Sequence, residues 1–251
     1  AHRTSYSESL INLPYCYQPN DNSRPIARTK WTRAKANLPE QGFVFCCFNN
    51  SYKIAPPEFE IWMNLLERVA GSTLWLMAAS GPATANLLAA AAKRGVDPDR
   101  LVFASHLPLA EHLARLRLAD LFLDTFNYNA HTTASDALWA GLPVLTKLGE
   151  GFAARVAASL LHAVGLDELV TTSEQGYANL AFDLATDPAR LAAIRDKLAA
   201  NRGTSALFDS ESFTRHIETG FEAAYQRYLT GASPGDIFVP DQASSDQAQP
   251  G

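Results

Sequence analysis

The chain has 251 residues, of which 47% are hydrophobic and 19% charged, with a formal net charge of −5. This profile fits one large or two small globular domains and excludes any general electrostatic attraction to nucleic acid or an anionic membrane. The three cysteines, Cys16, Cys46 and Cys47, give no disulfide framework, no apolar run approaches membrane-spanning length, and no signal peptide is visible, so the cytoplasm is the expected home.

Residues 1–41 are polar and irregular, punctuated by Pro14, Pro19, Pro25 and Pro39, and read as an extended lead-in or linker. An ordered lobe is expected over residues 42–230. Its first buried strand is the apolar run 43–48, and Pro56 and Pro57 open an amphipathic helix with Phe59, Trp62, Leu65, Leu66 and Val69 at helical spacing. A strand over 73–77, an alanine-rich helix over 83–94 closed by Gly95, a strand over 101–103 and a helix over 109–118 follow. The stretch 121–142 supplies a short strand, a polar turn and a helix from Thr132-Thr133 to Gly141. After it come a strand over 143–146, a helix over 152–164 and a short strand at 169–170. The pattern then becomes helical, roughly 173–186, 188–201 and 210–229. Residues 231–251, rich in Pro, Gly, Ser, Gln and Asp from Ser233 onward, read as a disordered tail.

Alternation of strands and helices at this spacing predicts an α/β fold, a Rossmann-like parallel sheet with helices on both faces, followed by C-terminal helices. Such sheets bind ligands beyond the carboxyl ends of their strands, where the strand order reverses. Three segments should meet there: 49–53, 105–109 and 124–133.

The helix beginning at Thr132 is the centre of the functional reading. Its first-turn N–H groups have no partner within the helix and its dipole favours an anion, so a phosphate fits there, with His131, Thr132 and Thr133 adding side-chain donors. Asp136, one turn in, could hold the hydroxyls of a ribose. The same residues read equally as a capping box, with Thr133 as cap and Asp136 reaching back. Lys53, after the first buried strand, could place a charge on a phosphate, an attraction on the order of 4 kcal/mol at ~4 Å and an effective dielectric near 20. As an isolated lysine it reads as a solvated surface group. His112 and Arg115 lie on one helix face and could offer a flat ring and fixed donors to a base; alone, the pair reads as an exposed polar face. No metal-ligand spacing, Walker loop, GxGxxG or GxSxG motif is present. A phosphate would therefore be bound by a helix start and a lysine, without a metal or other cofactor.

Several ordered segments carry a resemblance: 48–54 (FNNSYKI), 118–120 (LAD), 123–125 (LDT), 129–133 (NAHTT), 136–141 (DALWAG) and 154–159 (ARVAAS). Together they resemble the C-terminal catalytic lobe of the O-linked N-acetylglucosamine transferases, glycosyltransferase family 41, from about Tyr15 to about Tyr228. The resemblance implies the donor-binding one of two Rossmann-like lobes (a GT-B arrangement). The implied activity is inverting, metal-independent transfer of GlcNAc from UDP-GlcNAc to a protein Ser or Thr. By position it implies that Lys53, with Asn50 beside it, neutralises the diphosphate leaving group. His131, Thr132 and Thr133 would hold the pyrophosphate and Asp136 the ribose. His112 would pack on the uracil, Arg115 would fix that pocket, and the Leu107 backbone would read the base edge. The implied partners are a UDP-sugar donor, a protein acceptor, an N-terminal catalytic lobe and tetratricopeptide repeats, with no nucleic acid and no membrane. Asn50 stands where animal members carry glutamine, and Leu109 where they carry lysine. Two alternatives stay open: a UDP-glucose-dependent asparagine glucosyltransferase of the same family, and a non-catalytic nucleotide-sugar-binding module.

Overall fold

The computed structural model describes residues 3–241. Its centre is a six-stranded, all-parallel sheet. The elements, in chain order, begin with β1 (Ile11–Asn12), β2 (Val44–Cys47), α1 (Pro56–Arg68), β3 (Thr73–Met77), α2 (Gly81–Lys93), β4 (Leu101–Ala104), α3 (Leu109–Leu116) and β5 (Leu121–Leu123). There follow α4 (Thr132–Ala140), β6 (Val144–Lys147), α5 (Val156–Ala163), β7 (Val170–Thr171), α6 (Glu174–Thr186), α7 (Pro188–Asn201), α8 (Ser210–Leu229) and β8 (Ile237–Phe238).

The sheet order is β4-β3-β2-β5-β6-β7. The chain thus winds outward from β2 to one edge, returns to the middle and winds outward to the other. That is the doubly wound order, with its switch point between β2 and β5. β2 is buried along its whole length because it has neighbours on both sides and helices on both faces. Phe45 pairs with Leu74 on one side and Leu121 on the other. The turn into β2 needs Gly42: at φ +100° it is left-handed, and a Cβ there would sit 2.1 Å from the Gly71 carbonyl oxygen. No helix among the described residues is long and apolar enough to cross a membrane.

Two expectations about the chain ends are corrected. β1 and β8 pair in parallel as a separate small sheet, Ile11 opposite Ile237 and Asn12 opposite Phe238. The segment expected to be a disordered tail is therefore ordered as far as this strand, and residues 242–251 lie outside the described residues. The lead-in is extended, but it is not a free linker. It runs as a strap across the helices: Asn20 Nδ2 donates to the Leu207 carbonyl, Ala27 N to the Ala110 carbonyl and Trp31 Nε1 to Glu111. Cys16 and Leu38 on it are buried. The predicted helix over 152–164 is also shorter, a single 3-10 turn at Phe152–Ala154 followed by α5. Gly149 donates its N–H to the Ala154 carbonyl and pulls that turn tight.

Candidate functional site

The crevice at the switch point is lined by the loops that leave β2 and β5. Asp124, wholly buried at the end of β5, ties them together. Its Oδ1 accepts from Ala130 N (2.6 Å), Thr125 N (2.8 Å) and Asn49 Nδ2 (3.2 Å), and its Oδ2 from Thr146 Oγ1 (2.7 Å). Burial pushes this carboxyl up to about 7 against the pull of those donors. Asn49, the residue after Phe48, carries the link onward: its Oδ1 accepts from Thr133 Oγ1 at 2.6 Å. The first turn of α4 is thereby fixed to the end of β2, 84 residues away in sequence.

Lys53 lies in the single turn Ser51–Lys53 beyond β2. Its Nζ donates to the Asn129 carbonyl at 3.0 Å and sits 3.8 Å from the centroid of the Tyr128 ring. Burial holds its pKa below the ordinary lysine value, partly offset by the charge of Asp124. Asn50 is exposed beside it, and its carbonyl accepts from Lys53 N.

His131 occupies the N-cap of α4, with no side-chain capping bond. Its Nε2 contacts the Ala153 carbonyl at 3.3 Å. A carbonyl only accepts, so Nε2 carries the proton and Nδ1 accepts from the Tyr17 hydroxyl at 3.2 Å. Burial lowers its pKa. The capping-box alternative is not what the structure contains: the cap is His131 and not Thr133, and Asp136 does not turn back to the helix start. No group among the described residues accepts from the amides of Thr132 and Thr133, and the Thr132 side chain is exposed. The Thr133 hydroxyl proton is committed to Asn49, so what Thr133 offers an anion is its backbone N–H.

Asp136 differs from the sequence expectation in its neighbour. It is 6% exposed and paired through Oδ1 with Nη1 of Arg24, from the strap. Burial raises its pKa, and Arg24 opposes that. Oδ2 accepts no hydrogen bond among the described residues and is the oxygen left for a ligand.

His112 and Arg115 are buried, not an exposed face. Arg115 Nε donates to His112 Nδ1 at 3.1 Å, and Arg115 Nη1 donates to the Ser105 carbonyl at 2.5 Å. Both rest against Phe48, His112 edge-on at 5.1 Å between centroids. Burial, then the Arg115 charge, lowers the His112 pKa to about 4, so the ring is neutral with its proton on Nε2. Burial lowers Arg115 to about 10. Its Nη2 is buried without a partner. Leu107 is half-buried in the loop between β4 and α3, two residues beyond the carbonyl that Arg115 holds.

The structure thus joins Lys53 to the α4 tip, and His112 and Arg115 to the base of the β2 loop. Asp136 stands further along α4, under the strap. Sequence reasoning missed Asn49, Asp124, Tyr128 and Asn129. Asp124 had a signal, an acid directly on the end of a buried strand at the switch point. Arg24 had none, since it meets Asp136 from 112 residues away. Two hollows lie elsewhere among the described residues. One is lined by Tyr15, Cys16, Phe213 and His216. In the other, Arg100 is already bonded to Ser72 and to the Val69 carbonyl. No cluster of three or more His, Cys, Asp or Glu that could hold a metal occurs among the described residues.

The family model described as Glycosyl transferase family 41 matches residues 20–217. A probable UDP-N-acetylglucosamine–peptide N-acetylglucosaminyltransferase of Arabidopsis thaliana, SEC, is 37% identical over 242 residues, 93% of this chain and 25% of that protein. The UDP-N-acetylglucosamine–peptide N-acetylglucosaminyltransferase of Caenorhabditis elegans is 39% identical over 200 residues, 80% of this chain and 17% of that one. Among solved structures, a lysine-to-methionine mutant of the Thermobaculum terrenum O-GlcNAc transferase superposes with a TM-score of 0.70 at 30% identity, covering 87% of this chain and 40% of that chain. The chain therefore spans a quarter or less of the length of these two curated relatives.

Proposed function

The chain belongs to glycosyl transferase family 41, and from that premise we propose that it is the donor-binding part of a protein O-linked N-acetylglucosaminyltransferase. The reaction is metal-independent, inverting transfer of GlcNAc from UDP-GlcNAc to a Ser or Thr hydroxyl of a protein, in the cytoplasm. The rest of the polypeptide supplies the second catalytic lobe, the repeats and the acceptor groove. The relatives' names support the reaction class, and the observation that carries the site is Lys53 hydrogen-bonded to Asn129 beside the uncapped tip of α4.

In this reaction the acceptor oxygen forms a bond to the anomeric carbon while the bond from that carbon to the β-phosphate oxygen breaks. The electron pair leaves with UDP, and the proton of the acceptor hydroxyl passes to solvent. The Lys53 ammonium and the amides of Thr132 and Thr133, fixed before reaction, stabilise that growing charge. The neutral His112 ring packs on the uracil, Arg115 and the Leu107 backbone bound that pocket, and Asp136 Oδ2 accepts from a ribose hydroxyl.

The test is transfer from UDP-GlcNAc to an acceptor protein by the intact polypeptide, read by mass spectrometry. Lys53→Met is expected to lower kcat about 10²- to 10³-fold. Undiminished transfer by that variant would remove Lys53 from the mechanism. UDP binding with no transfer to any acceptor would favour a pure binding module, and hexose found on asparagine would favour the glucosyltransferase.

A further inference from the structure

We propose that Tyr128 is a positioning residue for Lys53: its ring face and the Asn129 carbonyl together hold the lysine ammonium at the tip of α4, where the diphosphate of the donor arrives. The inference rests on the function proposed above and deepens it. Lys53 Nζ lies 3.8 Å from the Tyr128 ring centroid and 3.0 Å from the Asn129 oxygen. No carboxylate among the described residues pairs with it, so a diphosphate meets a charge with no ion pair to break. An ammonium with no ion pair to fix it must be aimed by other contacts, because a lysine stem is long and mobile.

Tyr128 is built to supply that aim. Its carbonyl accepts from Thr125 Oγ1 at 2.6 Å. The next residue is pinned on two sides, with Asn129 N donating to the Ala153 carbonyl at 2.8 Å and Asn129 Nδ2 to the Thr125 carbonyl at 2.7 Å. The ring therefore projects from rigid backbone. Its other neighbour is His131, 5.0 Å between centroids. One ring thus touches both the cation and the N-cap residue of α4. An aromatic face attracts an ammonium through its quadrupole, most strongly where water is partly excluded, as it is around half-buried Lys53. The Tyr128 hydroxyl makes no hydrogen bond among the described residues, so the ring face is the working part.

A double-mutant cycle on UDP binding, measured by calorimetry on the intact protein, tests this. Tyr128→Phe keeps the face and is expected to bind within about twofold of wild type, whereas Tyr128→Leu, apolar but without the quadrupole, weakens binding about tenfold. In a Lys53→Met background the same Tyr128→Leu change is expected to matter less than about twofold, because the ring has lost the group it aims. Tyr128 is 41% exposed, so both variants should fold. Equal losses in the two backgrounds, or a Phe variant as weak as the Leu one, would overturn the positioning role and leave the function proposed for Lys53 standing. UDP binding unaffected by Lys53→Met alone would likewise overturn the positioning role, while transfer by that variant separately tests the part Lys53 plays in the reaction.

Discussion

At the scale of single residues, the site is a set of polar groups whose charge states are set by burial. His112 shows the sign most simply. Its pKa falls to about 4 because burial and Arg115 disfavour the charged ring. The stability contributed by the neutral ring is complete above the ordinary value of 6.5 and is lost as pH falls through about 4. An NMR titration of the ring should therefore show no protonation between pH 8 and about 5; a midpoint near the ordinary value would mean the ring is not packed as described. Asp124 runs the other way. Its pKa rises from 3.8 to about 7, so the folded state holds a proton that the unfolded state releases, and its contribution declines as pH rises through that window. Asp124→Asn can keep all four hydrogen bonds, since its amide nitrogen can donate to Thr146. It should flatten the fall in urea stability between about pH 4 and 7, whereas Asp124→Ala strands buried donors and should cost ~3 kcal/mol. Identical slopes for wild type and the Asn variant would assign the pH dependence to other groups. None of these environments could be read locally. Lys53, His131 and Asp136 are visible as residue types at suitable places, but the partner of Asp136 is a distant arginine, and nothing in the sequence marks Tyr128 as the neighbour of Lys53.

At the scale of elements, the strands were legible because parallel strands covered on both faces must be continuous apolar runs, as Val44–Cys47 and Leu121–Leu123 are. The helix stops were legible for steric reasons. Gly141, at φ +89°, closes α4 in the left-handed conformation that glycine adopts without a Cβ penalty. The start of α4 was legible only to within a residue, because Thr133 and Asp136 fit a capping pattern that other partners outcompete: Asn49 takes Thr133 and Arg24 takes Asp136. The strap was misread because two-residue strands and single side-chain bonds leave no periodic signal. Its docking makes two predictions. Arg24→Ala leaves the carboxylate of Asp136 buried without its cation and should cost about 3 kcal/mol in urea unfolding; a loss under ~0.5 kcal/mol, typical of an exposed pair, would show the strap to be loosely held. Gly220, inside α8, faces Ile11 of β1, whose Cγ2 would lie 2.6 Å from any Cβ placed there. Gly220→Leu should unseat the β1–β8 pair at a cost of ~1–3 kcal/mol and open residues 10–14 to protease. Unchanged protease resistance would contradict that packing.

At the scale of the whole molecule, topology makes the site. β2 and β5 are adjacent in the sheet but separated by three crossovers in the chain, and the loops leaving them bring Lys53 and the α4 tip to one crevice. The fold class and the rim were inferable because strand order follows from short right-handed crossovers and ligands follow from strand order. The proposed site holds a diphosphate between one ammonium and an uncapped helix tip. A crystal structure with UDP tests it most directly. Phosphate oxygens are expected within hydrogen-bonding distance of the Thr132 and Thr133 amides and of Lys53 Nζ, with the uracil against His112. UDP bound elsewhere, or an α4 tip closed by protein atoms while UDP is present, would contradict it.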